Sequence, residues 1–181
     1  MNSLRTRALG FTMLEVLISI VVIAFGMLGV AGLQAYALRN SQSASYRSVA
    51  TVLATDIIDR MRANPLGVTQ NRYVTSAGFP VTAKAAPNCL TAGGCGTQEL
   101  AEHDLFEWQA LIASSLPNAS GVICRDSSPN DGTSASSHAC EGTGALVVKI
   151  WWIDNRGARQ GADAAAVSAN AVLRFVTEFQ I

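Results

Sequence analysis

Phe11-Thr12-Met13-Leu14-Glu15-Val16-Leu17-Ile18-Ser19-Ile20-Val21-Val22-Ile23-Ala24-Phe25-Gly26-Met27-Leu28-Gly29-Val30-Ala31-Gly32-Leu33 is where the apolar residues of this chain concentrate. Seventeen of these 23 residues are apolar, and after Glu15 no charged side chain occurs until Arg39. At 1.5 Å per residue, a helix of this length spans roughly 35 Å, enough to cross a hydrocarbon core of ~30 Å. Arg5 and Arg7 precede the run. Basic residues on the N-terminal flank favour a cytoplasmic N-terminus and an exported C-terminal portion. A cleaved secretory signal is the competing reading. It needs a shorter apolar stretch, about 7–15 residues, and a small-x-small exit, for which Ala31-Gly32 is a weak candidate.

Working outward, the 181-residue chain carries 13 basic and 13 acidic residues, and 49% of it is apolar. That length suits one domain with an appendage. Low charge density argues against a disordered polyelectrolyte. Zero net charge and only two lysines argue against nucleic-acid binding, which needs cations to replace the counterions around phosphates. Glu15 is the anomaly. A charged carboxylate costs about 2.5–3.5 kcal/mol or more at the bilayer centre, and less near the end of the span. Either it snorkels or is protonated, or it meets a positive group on another chain.

The stretch Leu9-Gly10-Phe11-Thr12-Met13-Leu14-Glu15-Val16-Leu17-Ile18 resembles the class III signal of type IV pilins and pseudopilins: a short basic leader ending in Gly, then Phe-Thr and a Glu ahead of a long apolar helix. The resemblance implies cleavage after Gly10 by prepilin peptidase and N-methylation of Phe11. It also implies that Glu15 pairs with the Phe11 amine of a neighbouring subunit. A narrower similarity to PilV-type minor pilins rests on three patches. These are Asp59-Arg60-Met61-Arg62-Ala63-Asn64-Pro65, Cys124-Arg125-Asp126-Ser127-Ser128-Pro129-Asn130-Asp131-Gly132-Thr133, and Lys149-Ile150-Trp151-Trp152-Ile153-Asp154 with Arg156. Major pilins often carry a proline near the position of Gly32. This sequence lacks it, and Gly26, Gly29 and Gly32 are the only residues suited to loosening the helix there.

Residues 1–10 are accordingly read as leader. Without Arg5 and Arg7, 11 of the 13 basic residues remain against 13 acidic ones. Residues 11–38 form the transmembrane and assembly half of a long helix, and 39–64 an amphipathic half. In the second half Val49, Leu53, Ile57 and Met61 recur every fourth residue. Pro65 ends it, because the preceding residue is pushed out of the α region. Residues 65–181 form the globular head. Its first part, 65–103, reads as a surface connection. Asp104 to Leu116 reads as a short helix capped by Asp104. Strands are expected at Gly121 to Cys124, Ala145 to Asp154 and Ala171 to Ile181, with a turn at Asn155-Arg156-Gly157 and a loop over 157–168. The fold class is α+β: one long helix packed on a small antiparallel sheet, as the resemblance also implies.

Four cysteines in an exported head allow three pairings. Cys89–Cys95 and Cys124–Cys140 are favoured, each closing a Gly/Ser-rich loop between near neighbours. Zinc on Cys124, His138, Cys140 and one more cysteine lacks the paired Cys-x2-Cys spacing. Asp126 to Gly132 has its glycine one place late for a calcium loop and reads as a polar turn. Neither His103 nor His138 lies near a nucleophile motif, so no catalytic set, cofactor or metal is expected. Of Trp151 and Trp152, one is expected in the core and the other at the surface, open to a partner. The expected function is a minor type IV pilin, acting near the filament tip with other minor pilins. It would sit in the inner membrane before assembly, with its head in the periplasm. The alternatives are a type II secretion pseudopilin, or a membrane-tethered periplasmic enzyme or binding domain.

Overall fold

The computed structural model describes residues 10–75, 84–153 and 172–180. The chain divides into two compact units, Met1–Gln42 and Ser43–Ile181. Helix α1, Met13–Ala63, contributes to both.

In the first unit the helix has no side-chain core. Phe11 is 84% exposed, and Leu14, Leu17, Ile18, Phe25, Leu28 and Leu33 are exposed with it. Such a surface is unstable in water, which is why the segment meets the length and apolarity expected of a membrane span. Gly26, Gly29 and Gly32 lie within regular helix, and a Cβ added to any of them would meet open space.

In the second unit the helix acquires a buried stripe. Ala50, Leu53, Ala54, Ile57, Ile58 and Met61 are buried at three- and four-residue spacing, with Tyr46 and Val49 at its margin. Each large aliphatic side chain so buried stabilises by about 1.5–3 kcal/mol. Asn64 ends the helix as expected for a residue before proline, and Pro65 opens a second short helix, α2, Pro65–Thr69. The Asn64 Oδ1 caps α2 by accepting from the Gly67 N–H at 3.2 Å.

Helix α3 spans Thr97–Ser115, preceded by a 3-10 turn at Pro87–Leu90. It starts seven residues before the expected Asp104 start. The cap is Gly96, whose N–H donates to the Glu99 carboxylate at 3.2 Å. Much of the stretch read as a surface connection is therefore helical. His103 and Asp104 are buried inside α3 rather than capping it.

The sheet is antiparallel in the order β1-β2-β3, with β1 Ser120–Asp126, β2 Ala145–Ile153 and β3 Val172–Phe179. Val122 opposes Lys149, and Ile150 opposes Phe175. Thr75 lies along β1, donating its N–H to the Ile123 carbonyl at 2.7 Å. One face of the sheet, with Ile123, Leu146, Val148, Ile150 and Trp152, joins α1 and α3 in the main core. Trp108 of α3 donates its indole N–H to the Leu53 carbonyl of α1 at 2.9 Å. Gly121 lets β1 approach that ring: a Cβ there would stand 2.5 Å from the Trp108 Cη2.

The other sheet face is also buried. Val122, Cys124, Val147 and Trp151 pack with Ala135 from the β1–β2 connection. Trp151 and Trp152 are 3% and 1% exposed, so neither is the surface tryptophan that alternation suggested. The connection folds back over a face that a two-layer head would leave to solvent. The expected turn at 155–157, the loop over 157–168 and Ile181 lie outside the described residues.

Candidate functional site

Two regions concentrate chemistry. The first is the start of α1. Thr12 accepts the Glu15 N–H on both its carbonyl, at 3.1 Å, and its hydroxyl, at 3.3 Å. That places Glu15 in the first helical turn, where the macrodipole favours a carboxylate. Gly10, Phe11 and Glu15 are all exposed, and Glu15 is the one charged side chain between Phe11 and Leu38. Its carboxylate has no ion-pair partner among the described residues.

The second region is two polar networks in the head. In one, Arg60 of α1 reaches Asp56 at 3.0 Å, Asp104 at 3.3 Å and Glu107 at 2.6 Å. Burial opposes the Arg60 charge, but the carboxylates outweigh it and hold its pKa above the usual value. The hydrogen bond from Arg60 keeps Glu107 below the ordinary carboxylate range. Tyr73 donates its hydroxyl to Asp104 at 2.6 Å and accepts from Asn64 Nδ2 at 3.1 Å. Burial, then the bond to Asp104, raises the Tyr73 pKa. The Nδ1 of His103 accepts the Ala86 N–H at 3.3 Å, tying the segment before the 3-10 turn to α3.

In the other network Lys149, fully buried on β2, contacts the buried Asp126 of β1. It also reaches Asp131 Oδ1 at 3.0 Å and the His138 carbonyl at 2.9 Å. Arg174 of β3 donates to the carbonyls of Asn130, Asp131 and Gly132. The Ser128 hydroxyl, then Lys149, lowers the Asp131 pKa. The connection from 127 to 144 is thus held by side chains of β2 and β3. A Cys124–Cys140 disulfide, its Cα atoms 6.2 Å apart, closes it covalently. Cys89 and Cys95 form a second disulfide across a Cα distance of 4.7 Å.

Two family models match the sequence. "Prokaryotic N-terminal methylation motif" covers residues 5–31, and "Type IV pilin Tt1218" covers residues 32–106. This is a type IV pilin-like chain. No curated protein and no solved structure matched it. In the pilin-like chain the methylation motif takes in Gly10, Phe11 and Glu15, and the second model takes in Arg60, Asn64, Tyr73 and Asp104. The family is one of structural subunits. The motif implies processing by a prepilin peptidase and assembly with other pilins, and an apolar helix long enough to cross a membrane accompanies it.

The remaining candidates resolve on geometry. All four cysteines are disulfide-bonded, so no thiolate is available to the Cys124, His138, Cys140 zinc set. Asp126, Asp131 and Glu141 do approach one another closely. The Lys149 ammonium already stands against the first two, filling the cluster with the protein's own cation. Sequence reasoning missed Lys149 as a buried residue. The signal was the run Leu146 to Ile153, apolar at every position but Lys149 and without polar alternation, a pattern consistent with a strand buried on both faces.

Proposed function

We propose that the chain is a minor type IV pilin, a structural subunit rather than an enzyme, that primes or modifies the filament near its tip with other minor pilins. What carries the reading is Glu15 in the first turn of α1, the one charge in the exposed apolar half of that helix, close after Gly10-Phe11. Prepilin peptidase removes residues 1–10, and Phe11 is methylated on the new amine. Before assembly the helix over 11–38 sits in the inner membrane, with the N-terminus cytoplasmic and the head, 65–181, periplasmic. The amphipathic part, 39–64, joins the two.

On assembly the apolar surface moves from lipid to neighbouring helices. The Glu15 carboxylate then meets the Phe11 amine of another subunit. Desolvation offsets much of that attraction, so the pair contributes register more than affinity: a wrong axial offset leaves a charge buried alone. The minor-pilin assignment is supported by the three PilV-like patches. Arg60, Asn64, Asp126, Asp131 and Lys149 from them build the two polar networks of the head.

The test is intact and peptide mass spectrometry of protein extracted from membranes and from sheared filaments. A chain beginning at methylated Phe11 and present in filaments is the expected result. An intact Met1, or a cut near Gly32, overturns the pilin reading. A processed chain absent from filaments but required for protein secretion gives the pseudopilin assignment instead.

A further inference from the structure

Lys149 and Asp126 are both fully buried, and their side chains are in contact. They come from neighbouring strands and lie on the same sheet face, in a shell of Val122, Cys124, Val147, Trp151 and Ala135. A third acid, Asp131, places Oδ1 3.0 Å from the lysine Nζ, and its side chain is 42% exposed. The His138 carbonyl, 2.9 Å from Nζ, fixes where the amine stands.

Amide formation between Lys149 and Asp126 needs one proton moved from the ammonium to the carboxylate, which gives a neutral amine against a neutral acid. Those are the two forms that condense. Two reactants held in such a geometry reach effective concentrations on the order of 10⁵–10⁸ M. Exclusion of water favours the condensed product.

We propose that Lys149 Nζ and Asp126 Cγ form an intramolecular amide. The nitrogen lone pair attacks Cγ, forming the N–C bond. Asp131 accepts a proton from the nitrogen and returns it to the departing hydroxyl. The Cγ–O bond breaks and one water leaves. Asp131 ends unchanged, and no oxidant or other co-reactant is consumed. The product joins β1 to β2 through side chains and, with the Cys124–Cys140 disulfide, fastens the 127–144 connection covalently at two points. The proposal stands independently of the minor-pilin reading.

Trypsin reads the bond directly, because no lysine or arginine lies between Arg125 and Lys149. The full-length chain is extracted in detergent, denatured, reduced, alkylated and digested. An amide blocks cleavage at Lys149, so the expected product is peptide 126–156 lighter by one water. Release of peptide 126–149 at its full mass overturns the proposal and leaves an ion pair. A succinimide at Asp131-Gly132 also loses one water, but Lys149 stays cleavable, and that result overturns the proposal as well. Asp126→Ala should restore cleavage at Lys149 completely. Asp131→Asn, which keeps the pair and its shell, should restore most of it. An amide fully formed in Asp131→Asn would overturn the role given to Asp131.

Discussion

Glu15 and Tyr73 show how one side chain sets behaviour in each unit of this chain. Glu15 has no ion-pair partner among the described residues, and its helical turn is held by Thr12 whatever the carboxylate does. Glu15→Ala should therefore leave the thermal unfolding of the head unchanged while reducing recovery in filaments at least several-fold. Equal recovery of mutant and wild type would remove the pairing role. Tyr73 is sensitive to alkali. Its folded pKa lies above its ordinary value of 10.0. The neutral phenol therefore contributes stability that is complete below pH 10.0 and is lost as pH rises toward the folded value. The denaturation midpoint of wild type should fall above about pH 10 more steeply than that of Tyr73→Phe, which has no proton to lose there. Glu107 acts oppositely: its folded pKa is lowered from 4.5, so its contribution is present above that pH and fades on acidification below it. At this scale the sequence marked Glu15 plainly, since a lone charge in an apolar run needs no tertiary information to be noticed. It misassigned Asp104, because a helix cap and a buried acceptor for a distant tyrosine look alike along the chain.

At the scale of elements, α1 was legible from length and period, and β2 from its apolar run. The start of α3 was not, since Gly96 and Glu99 give a cap signal that the surrounding Gly, Ala and Thr obscured. The element with most to test is the 127–144 connection. It has little regular structure and derives its order from Lys149, Arg174 and the disulfide. Closing a loop of this size stabilises by about 3 kcal/mol in the chain-entropy model. Cys124→Ser with Cys140→Ser should lower head stability in urea by about that amount. The Cys89–Cys95 bridge closes a smaller loop across an exposed turn, and its loss should cost less. The reverse order of effects would place the main covalent constraint at the 89–95 turn.

For the whole molecule, the decisive property is the contrast between the two units. Among the described residues, Ser43–Ile181 holds all the buried apolar side chains, whereas exposed large aliphatic side chains crowd the segment before it. A chain beginning at Ser43 should dissolve without detergent and keep a cooperative unfolding transition, while the full chain should require detergent. Aggregation of the shorter chain under reducing-agent-free conditions, checked by size-exclusion chromatography, would contradict that division. The densest apolar stretch of the sequence is thus one helix, and its zero net charge includes Arg5 and Arg7. By itself the sequence determined the apolar helix, its lone carboxylate, the leader-like flank and the α+β order of elements, because each is written in local composition and period. Only the tertiary structure decided what covers the second face of β2, that both tryptophans are internal and that Lys149 meets Asp126 and Asp131. Those outcomes depend on a connection folding back across the sheet, and contacts between residues far apart in sequence leave no periodic trace in it.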